Sequence, residues 1–234
     1  LPRGDGNTAA KKRKAIIPDP RNDENLAVAQ THLAFIRFHN RIVDTLPASV
    51  PAPQRFAKAR ELAVKHYQWM LRHDYLPRIC EPSVIDDVFT NGRKAFEVGA
   101  NPLDVPTMPI EFSVAGFRLG HSMIRRDYNW NKRFPGDAGA LFFLFDFSAT
   151  SGTLGGFRRL PSNWIADFRR LYDFKGEAGR NNLAAPGGLN RAMRIDTLLA
   201  DPLKSLPGFP SDEDNLAFRN LTRAKMVNLA TGQQ

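Results

Sequence analysis

Apolar residues recur at helical spacing along several stretches of the chain. Leu26, Ala29, Leu33, Ile36 and Val43 predict a helix over about 22–46, with Asn22 or Asp23 placed to cap its start. Residues 1–20 lack such a pattern and predict a loop, closed by the rigid Pro18-Asp19-Pro20 corner. The Pro47–Pro53 stretch breaks the pattern. It resumes with Phe56, Leu62, Ala63, Tyr67, Met70 and Leu71, a second helix over about 54–75 that Pro77 ends or kinks. Residues 80–108 predict turns and short helices. Pro109 opens a third helix over about 110–127, which carries Phe112, Ala115, Leu119, His121 and Met123. Residues 129–160, rich in Gly and aromatics, predict loop with short helical pieces; a short helix at 161–172 and a Gly/Asn loop at 176–190 follow. The acidic Ser211-Asp-Glu-Asp214 suits the start of a last helix, about 212–228. No useful strand alternation and no repeat is present. The pattern gives a mainly α fold, one domain over 1–234 whose connections are longer than a self-contained bundle needs.

Composition narrows this picture. The chain has 234 residues, 42% hydrophobic and 10% aromatic, which excludes wholesale disorder and collagen-like structure. A single cysteine, Cys80, excludes an internal disulfide framework. The longest apolar run, Leu141 to Phe145, is far short of the ~20 residues that span a bilayer. The chain opens Leu-Pro-Arg-Gly-Asp, with no initiator Met and no apolar leader, and reads as a piece of a longer protein. The net charge of +9 points to anionic partners. The run Lys11-Lys-Arg-Lys14 fits a solvated loop better than a nucleic-acid contact, because no recognition motif accompanies it.

Two positions stand out for chemistry. The pairs His32/His39 and His66/His73 are each seven residues apart, without the i,i+4 spacing or the Glu of a zinc-binding helix. They read as structural histidines. His121 differs: Gly120 beside it lets a flat group approach the backbone, and Arg118 three residues earlier shares its face and can pair with a carboxylate. An imidazole for iron and a cation for a propionate are what a haem site needs. Arg21 follows the Pro-Asp-Pro corner and precedes Asp23-Glu24; it suits either the rim of a pocket or pairing with those local carboxylates.

The stretch Asp19-Pro-Arg21-Asn-Asp-Glu24-Asn through Arg41 resembles the distal-arginine segment of the animal-type haem peroxidases, the peroxidase–cyclooxygenase superfamily, most of all its bacterial branch. Ala59 to Pro77 resembles the helix that follows. Glu111 through Arg118-Leu-Gly-His121-Ser-Met resembles the proximal-histidine helix, and Asn215 to Arg223 the segment bearing that histidine's asparagine partner. The segments occur in the family's order. The resemblance implies the helical peroxidase fold with haem b, in which His121 is the proximal iron ligand. It implies Asn220 as acceptor of the His121 Nδ1–H, Arg118 and Arg223 as propionate partners, Arg21 as the distal arginine, and Glu24 as a carboxylate that esterifies haem in some members. It implies hydrogen peroxide and a small reducing substrate or halide as partners, a role in oxidative stress, and an extracellular or periplasmic site.

The departures are large. The family's distal histidine and calcium loop lie upstream of the distal arginine, and neither motif occurs in residues 1–20. The chain therefore reads as the carboxy-terminal part of a catalytic domain, incomplete at its amino terminus and lacking the general acid/base. By itself it is expected to bind haem weakly and turn over little. Rival readings are a fatty-acid dioxygenase of the same superfamily, which needs a Tyr where Phe117 and Arg118 stand, and a non-catalytic peroxidase-like adhesion module.

Overall fold

The computed structural model describes residues 1–4, 6–101, 103–175, 181–207 and 215–229. It is mainly helical, and the chain packs as two compact units rather than one: residues 1–32 with 110–234, and residues 33–109. The only sheet among the described residues pairs β1 (Asp127–Tyr128) with β2 (Gly139–Ala140), antiparallel.

The first unit begins with a short helix where a loop is expected. Helix α1 (Ala9–Arg13) forms because the Thr8 hydroxyl accepts from the Lys11 N–H at 3.2 Å. A bridge between Arg3 and Ala15 closes the segment. The expected 22–46 helix starts later, as α2 (Leu26–Thr45), after a separate 3-10 turn at Pro20–Asp23. Asp19 caps that turn and Pro20 supplies its fixed φ.

The core of this unit does not lie on long amphipathic helices. It gathers Trp130, Leu141, Leu144, Trp164, Ala166 and Leu203 around Leu26 and Leu216, mostly from the 129–206 stretch, whose first part, 129–160, is expected to be loop with short helical pieces. That stretch contains α7 (Leu141–Asp146) and α8 (Phe168–Leu171), with a 3-10 turn at Ser162–Trp164 in place of a continuous 161–172 helix. Trp164 is stacked between Phe134 and Phe147, at centroid distances of 4.3 and 4.4 Å. Irregular backbone can be buried only if its polar groups are paired. Here asparagine side chains do this. Asn131 Nδ2 donates to the Asn163 and Ile165 carbonyls, both at 2.8 Å, while its Oδ1 accepts from the Arg133 and Phe134 N–H groups. Asn129 holds the Pro186 and Gly188 carbonyls at 3.0 and 2.7 Å, and its Oδ1 meets the buried Arg170 guanidinium.

In the second unit α3 (Ala52–Met70) packs on the later part of α2 through edge contacts of Phe35 with Tyr67 and Phe38 with His66. Arg55 donates to the Val43, Leu46 and Pro47 carbonyls at 2.6, 3.1 and 3.1 Å, satisfying acceptors that a helix end leaves open. Of the two expectations for Pro77, an end or a kink, the end does not occur: the helical path runs on through it. A π-helical turn at Leu71–Tyr75 widens the spiral, and α4 (Leu76–Ile79) continues through the proline before α5 (Pro82–Asn91). The wider turn moves the carbonyl that the proline ring would otherwise strike. No helix among the described residues is long and apolar enough to cross a membrane.

Two further helices position the candidate site in the first unit. The expected 110–127 helix divides into α6 (Ile110–Val114) and a 3-10 helix at Gly116–Met123, separated by Ala115 at φ −130° and ψ −66°. Glycines at 116 and 120 weaken the α form by ~1 kcal/mol each. The last helix, α9, spans Leu216–Met226 with Asn215 as its cap; the expected start at Ser211–Asp214 lies outside the described residues.

Gln30 makes the fold's most consequential side-chain link. Its Nε2 donates to the Trp164 carbonyl at 2.9 Å, and its Oε1 accepts from the Ala166 N–H at 2.7 Å, both buried. Gln30→Leu should leave the Ala166 N–H buried without an acceptor. It should lower the first unit's unfolding free energy in urea by about 1–3 kcal/mol.

Candidate functional site

His121 and Arg118 lie three residues apart on the Gly116–Met123 3-10 helix, where side chains at i and i+3 eclipse. They therefore share one face. Asn220 and Arg223 share a face of α9 by the same i,i+3 spacing, and α9 packs against α6. The two faces meet: the Asn220 carboxamide nitrogen lies 2.9 Å from His121 Nδ1, across 99 residues of sequence.

This contact governs the histidine's tautomer. With Nδ2 towards the ring, Asn220 donates to Nδ1, the ring proton sits on Nε2, and Asn220 Oδ1 is buried without a partner. A half-turn of the carboxamide instead lets Oδ1 accept from Nδ1–H. Nε2 then carries a bare lone pair, the form that a metal binds. Burial pushes the His121 pKa below its ordinary 6.5. The positive charges of Arg118 and Arg223 push it the same way, and the Asn220 hydrogen bond opposes them. The ring is neutral near pH 7.

The surrounding charge is one-sided. Burial lowers the Arg223 pKa, with the neighbouring Arg118 and Arg219 adding to it. Arg118 Nε is buried without a hydrogen-bond partner. Among the described residues neither Arg118 nor Arg223 pairs with a carboxylate. A Cβ added at Gly120 would meet nothing within 4 Å, so the space beside His121 is open. Phe112, Phe117, Leu119, Phe218 and Leu221 on the same elements are exposed. An open slot, a neutral imidazole, two guanidinium groups without anions and uncovered apolar side chains fit a flat, dianionic, iron-bearing group such as haem. His121 would hold the iron, and Arg118 and Arg223 would hold its carboxylates.

Arg21 and Glu24 occupy the other candidate element, the Pro20–Asp23 turn. They too are eclipsed at i and i+3. The Arg21 side chain is 76% exposed and clamped by Asp19: Nε lies 3.0 Å from both carboxylate oxygens, and the Arg21 N–H donates to Oδ1 at 2.9 Å. The hydrogen bonds from Arg21 hold the Asp19 carboxyl down at about 2. Burial raises the Glu24 pKa, with Arg21 opposing. The structure thus brings His121, Asn220, Arg118 and Arg223 together. It keeps Arg21 and Glu24 on one turn; no hydrogen bond or ion pair joins that turn to the His121 group among the described residues.

Three of the other histidines contact their own surroundings, while His32 Nδ1 and His39 Nε2 are buried without a hydrogen-bond partner among the described residues. His66 Nδ1 lies 2.8 Å from the Leu62 carbonyl. His73 packs on Trp69 and His39 on Phe56. Sequence reasoning missed the strap behind His121. Ser122 Oγ donates to the Leu119 carbonyl and accepts from the Asp196 N–H at 3.2 Å; the Met193 N–H reaches the Met123 carbonyl at 3.0 Å, and Arg125 reaches the Arg191 carbonyl at 3.1 Å. These links join segments about seventy residues apart, and no local pattern announces them.

A family model described as animal haem peroxidase matches residues 1–141. A peroxidase-like protein of Margaritifera margaritifera is 31% identical over 46% of the chain and 14% of its own length. Thyroid peroxidase of Rattus norvegicus is 32% identical over 47% of the chain and 12% of its own length. Heme peroxidase 2 of Caenorhabditis elegans is 26% identical over 47% of the chain and 16% of its own length. The chain thus spans a small part of the curated relatives it matches. No solved structure matches it.

His121 should titrate below 6.5 by NMR, and Arg118→Gln should raise its midpoint by removing a like charge. The unfolded chain takes the proton first. His121 therefore withdraws stability as pH falls through 6.5 towards its folded midpoint, and Arg118→Gln should narrow that window.

Proposed function

The chain belongs to the animal haem peroxidase family, and from that premise we propose that it provides the proximal wall and the distal arginine of a haem b peroxidase. This enzyme reduces hydrogen peroxide and oxidises small donors or halides. The observation that carries the reading is the His121–Asn220 contact, flanked by the Arg118 and Arg223 guanidinium groups, neither of which pairs with a carboxylate among the described residues.

When bound, the haem supplies the redox chemistry. The residues of this chain supply ligation, orientation and charge. His121 Nε2, with its bare lone pair, would hold the iron. Asn220 accepts the Nδ1–H, fixing the ring's tautomer and rotation and raising the ligand's basicity. Arg118 and Arg223 would hold the haem propionates by charge-assisted hydrogen bonds. Arg21 places a fixed positive charge where negative charge develops as the peroxide O–O bond breaks. Moving the peroxide proton requires a base that the resemblance places upstream of Arg21, outside these residues. Glu24 shares the face of Arg21, and burial favours its protonated form. The resemblance implies that it would be the carboxylate that esterifies haem. Phe117 and Arg118 occupy the positions where a dioxygenase needs its Tyr, which favours peroxidase.

In the haem-loaded protein, His121→Ala should abolish the histidine-ligated ferric spectrum, whereas His32→Ala and His66→Ala should leave it intact. Persistence of that spectrum in His121→Ala would overturn the ligand assignment. Arg21→Leu should keep haem bound but slow the peroxide step about 10²–10³-fold, the usual loss on removing one charge-stabilising donor. Stopped-flow absorbance measures this, and a wild-type rate would remove Arg21 from the reaction.

A further inference from the structure

We propose that Asp23, through its buried ion pair with Arg3, is the positioning residue that turns Arg21 outward in the orientation the peroxide step uses. The inference rests on the proposed role of Arg21 and extends it to residues that do not touch substrate or haem.

Asp23 is 1% exposed, although it carries a charge and lies two residues from an arginine that is mostly in solvent. Arg3 meets both carboxylate oxygens of Asp23, with Nη2 at 3.2 Å from Oδ1. Arg3 Nη1 also donates to the Arg13 carbonyl at 2.9 Å. The guanidinium thus ties the end of α1 to the turn. A carboxylate this deep is stable only while fully paired, and the bidentate fork supplies direction as well as charge.

The 3-10 geometry converts that anchor into an orientation. Successive side chains step by about 120°. With Asp23 pinned inward, Arg21 and Glu24 share a face turned away from it. Two further bonds fix the same turn: Thr150 Oγ1 donates to the Pro20 carbonyl at 3.0 Å, and the Thr150 N–H to the Asp23 carbonyl at 3.1 Å. Asp19 can clamp Arg21 only while the turn holds, because its carboxylate caps the turn's first N–H as it binds the guanidinium. The anchor therefore acts on Arg21 through the backbone, and the Asp19 clamp is its readout.

The test separates this positioning from general stability and from the proposed reaction. Exchange of the Arg21 Nε–H with solvent is followed by NMR near pH 6 in the protein without haem, where Asp19 is ionised. Asp23→Asn should accelerate that exchange about tenfold, with amide protection elsewhere in the first unit retained. Arg3→Lys, which keeps the charge but loses the fork, should give an intermediate value. If the single variants fail to fold, Arg3→Met/Asp23→Leu replaces the buried pair with apolar side chains and should show the same fast exchange. In haem-loaded protein the same variants should lower kcat for peroxide more than they raise KM, with haem occupancy unchanged. An Arg21 Nε–H exchange rate that stays at the wild-type value in any folded variant lacking the ion pair would overturn the proposal. If exchange accelerates as predicted while both Arg21→Leu and Asp23→Asn leave the peroxide rate untouched, the anchor stands and the assigned role of Arg21 fails instead.

Discussion

The carbonyl of Trp164 is the acceptor on which the first unit depends. It takes the Gln30 Nε2 at 2.9 Å and the Trp130 Nε1 at 3.0 Å, both in the core. These bonds join the start of α2, the loop that follows β1, and the 160s turn. Trp130 is wholly buried, and a buried indole N–H without a partner would carry a desolvation cost. Its ring can fill the core because Trp164 offers an oxygen there. The Trp164 ring is then free to stack between Phe134 and Phe147. Long irregular connections become a core because the Asn129, Asn131, Trp130 and Gln30 side chains find partners there.

The candidate site follows from that scaffold. The 3-10 helix at Gly116–Met123 is longer than such helices usually run, and it is fastened from behind by Ser122, Met123 and Arg125 to the 191–196 segment. Its other face carries Arg118 and His121 towards α9. Placing guanidinium groups near a half-buried imidazole is unfavourable in isolation. Burial first, and the neighbouring guanidinium charges after it, lower the pKa values of His121 and Arg223. A neutral imidazole is already the form that binds iron. The repulsion among these positive groups favours a dianionic ligand beside them.

Much of the helical framework was legible because it rests on local rules. The periodicity of α2 and α3 and the breaker cluster between them correspond to what forms. The clamp of Arg21 by Asp19 was one of two outcomes that neighbouring charges suggested. The meeting of His121 with Asn220 follows from the family resemblance, not from spacing, since 99 residues separate them. Other features depend on contacts that no window contains. The split of the 110–127 helix follows from two glycines. The passage of the helical path through Pro77 requires a π turn. The core in 129–206 is built by Asn129, Asn131 and Gln30, polar residues that a hydrophobic pattern assigns to the surface. Arg3 looked like loop charge and is the partner of the most deeply buried carboxylate, Asp23.

The central claim is that His121 binds haem iron through Nε2 while Asn220 accepts its Nδ1–H. Resonance Raman spectroscopy of the ferrous haem-loaded protein reads this directly, because the iron–imidazole stretch responds to hydrogen bonding at Nδ1. The account predicts a histidine–iron band that moves to lower frequency in Asn220→Val, as the imidazole loses its acceptor and becomes a weaker donor to iron. A band unmoved by Asn220→Val, or a spectrum with no histidine–iron stretch in the wild-type protein, would contradict it.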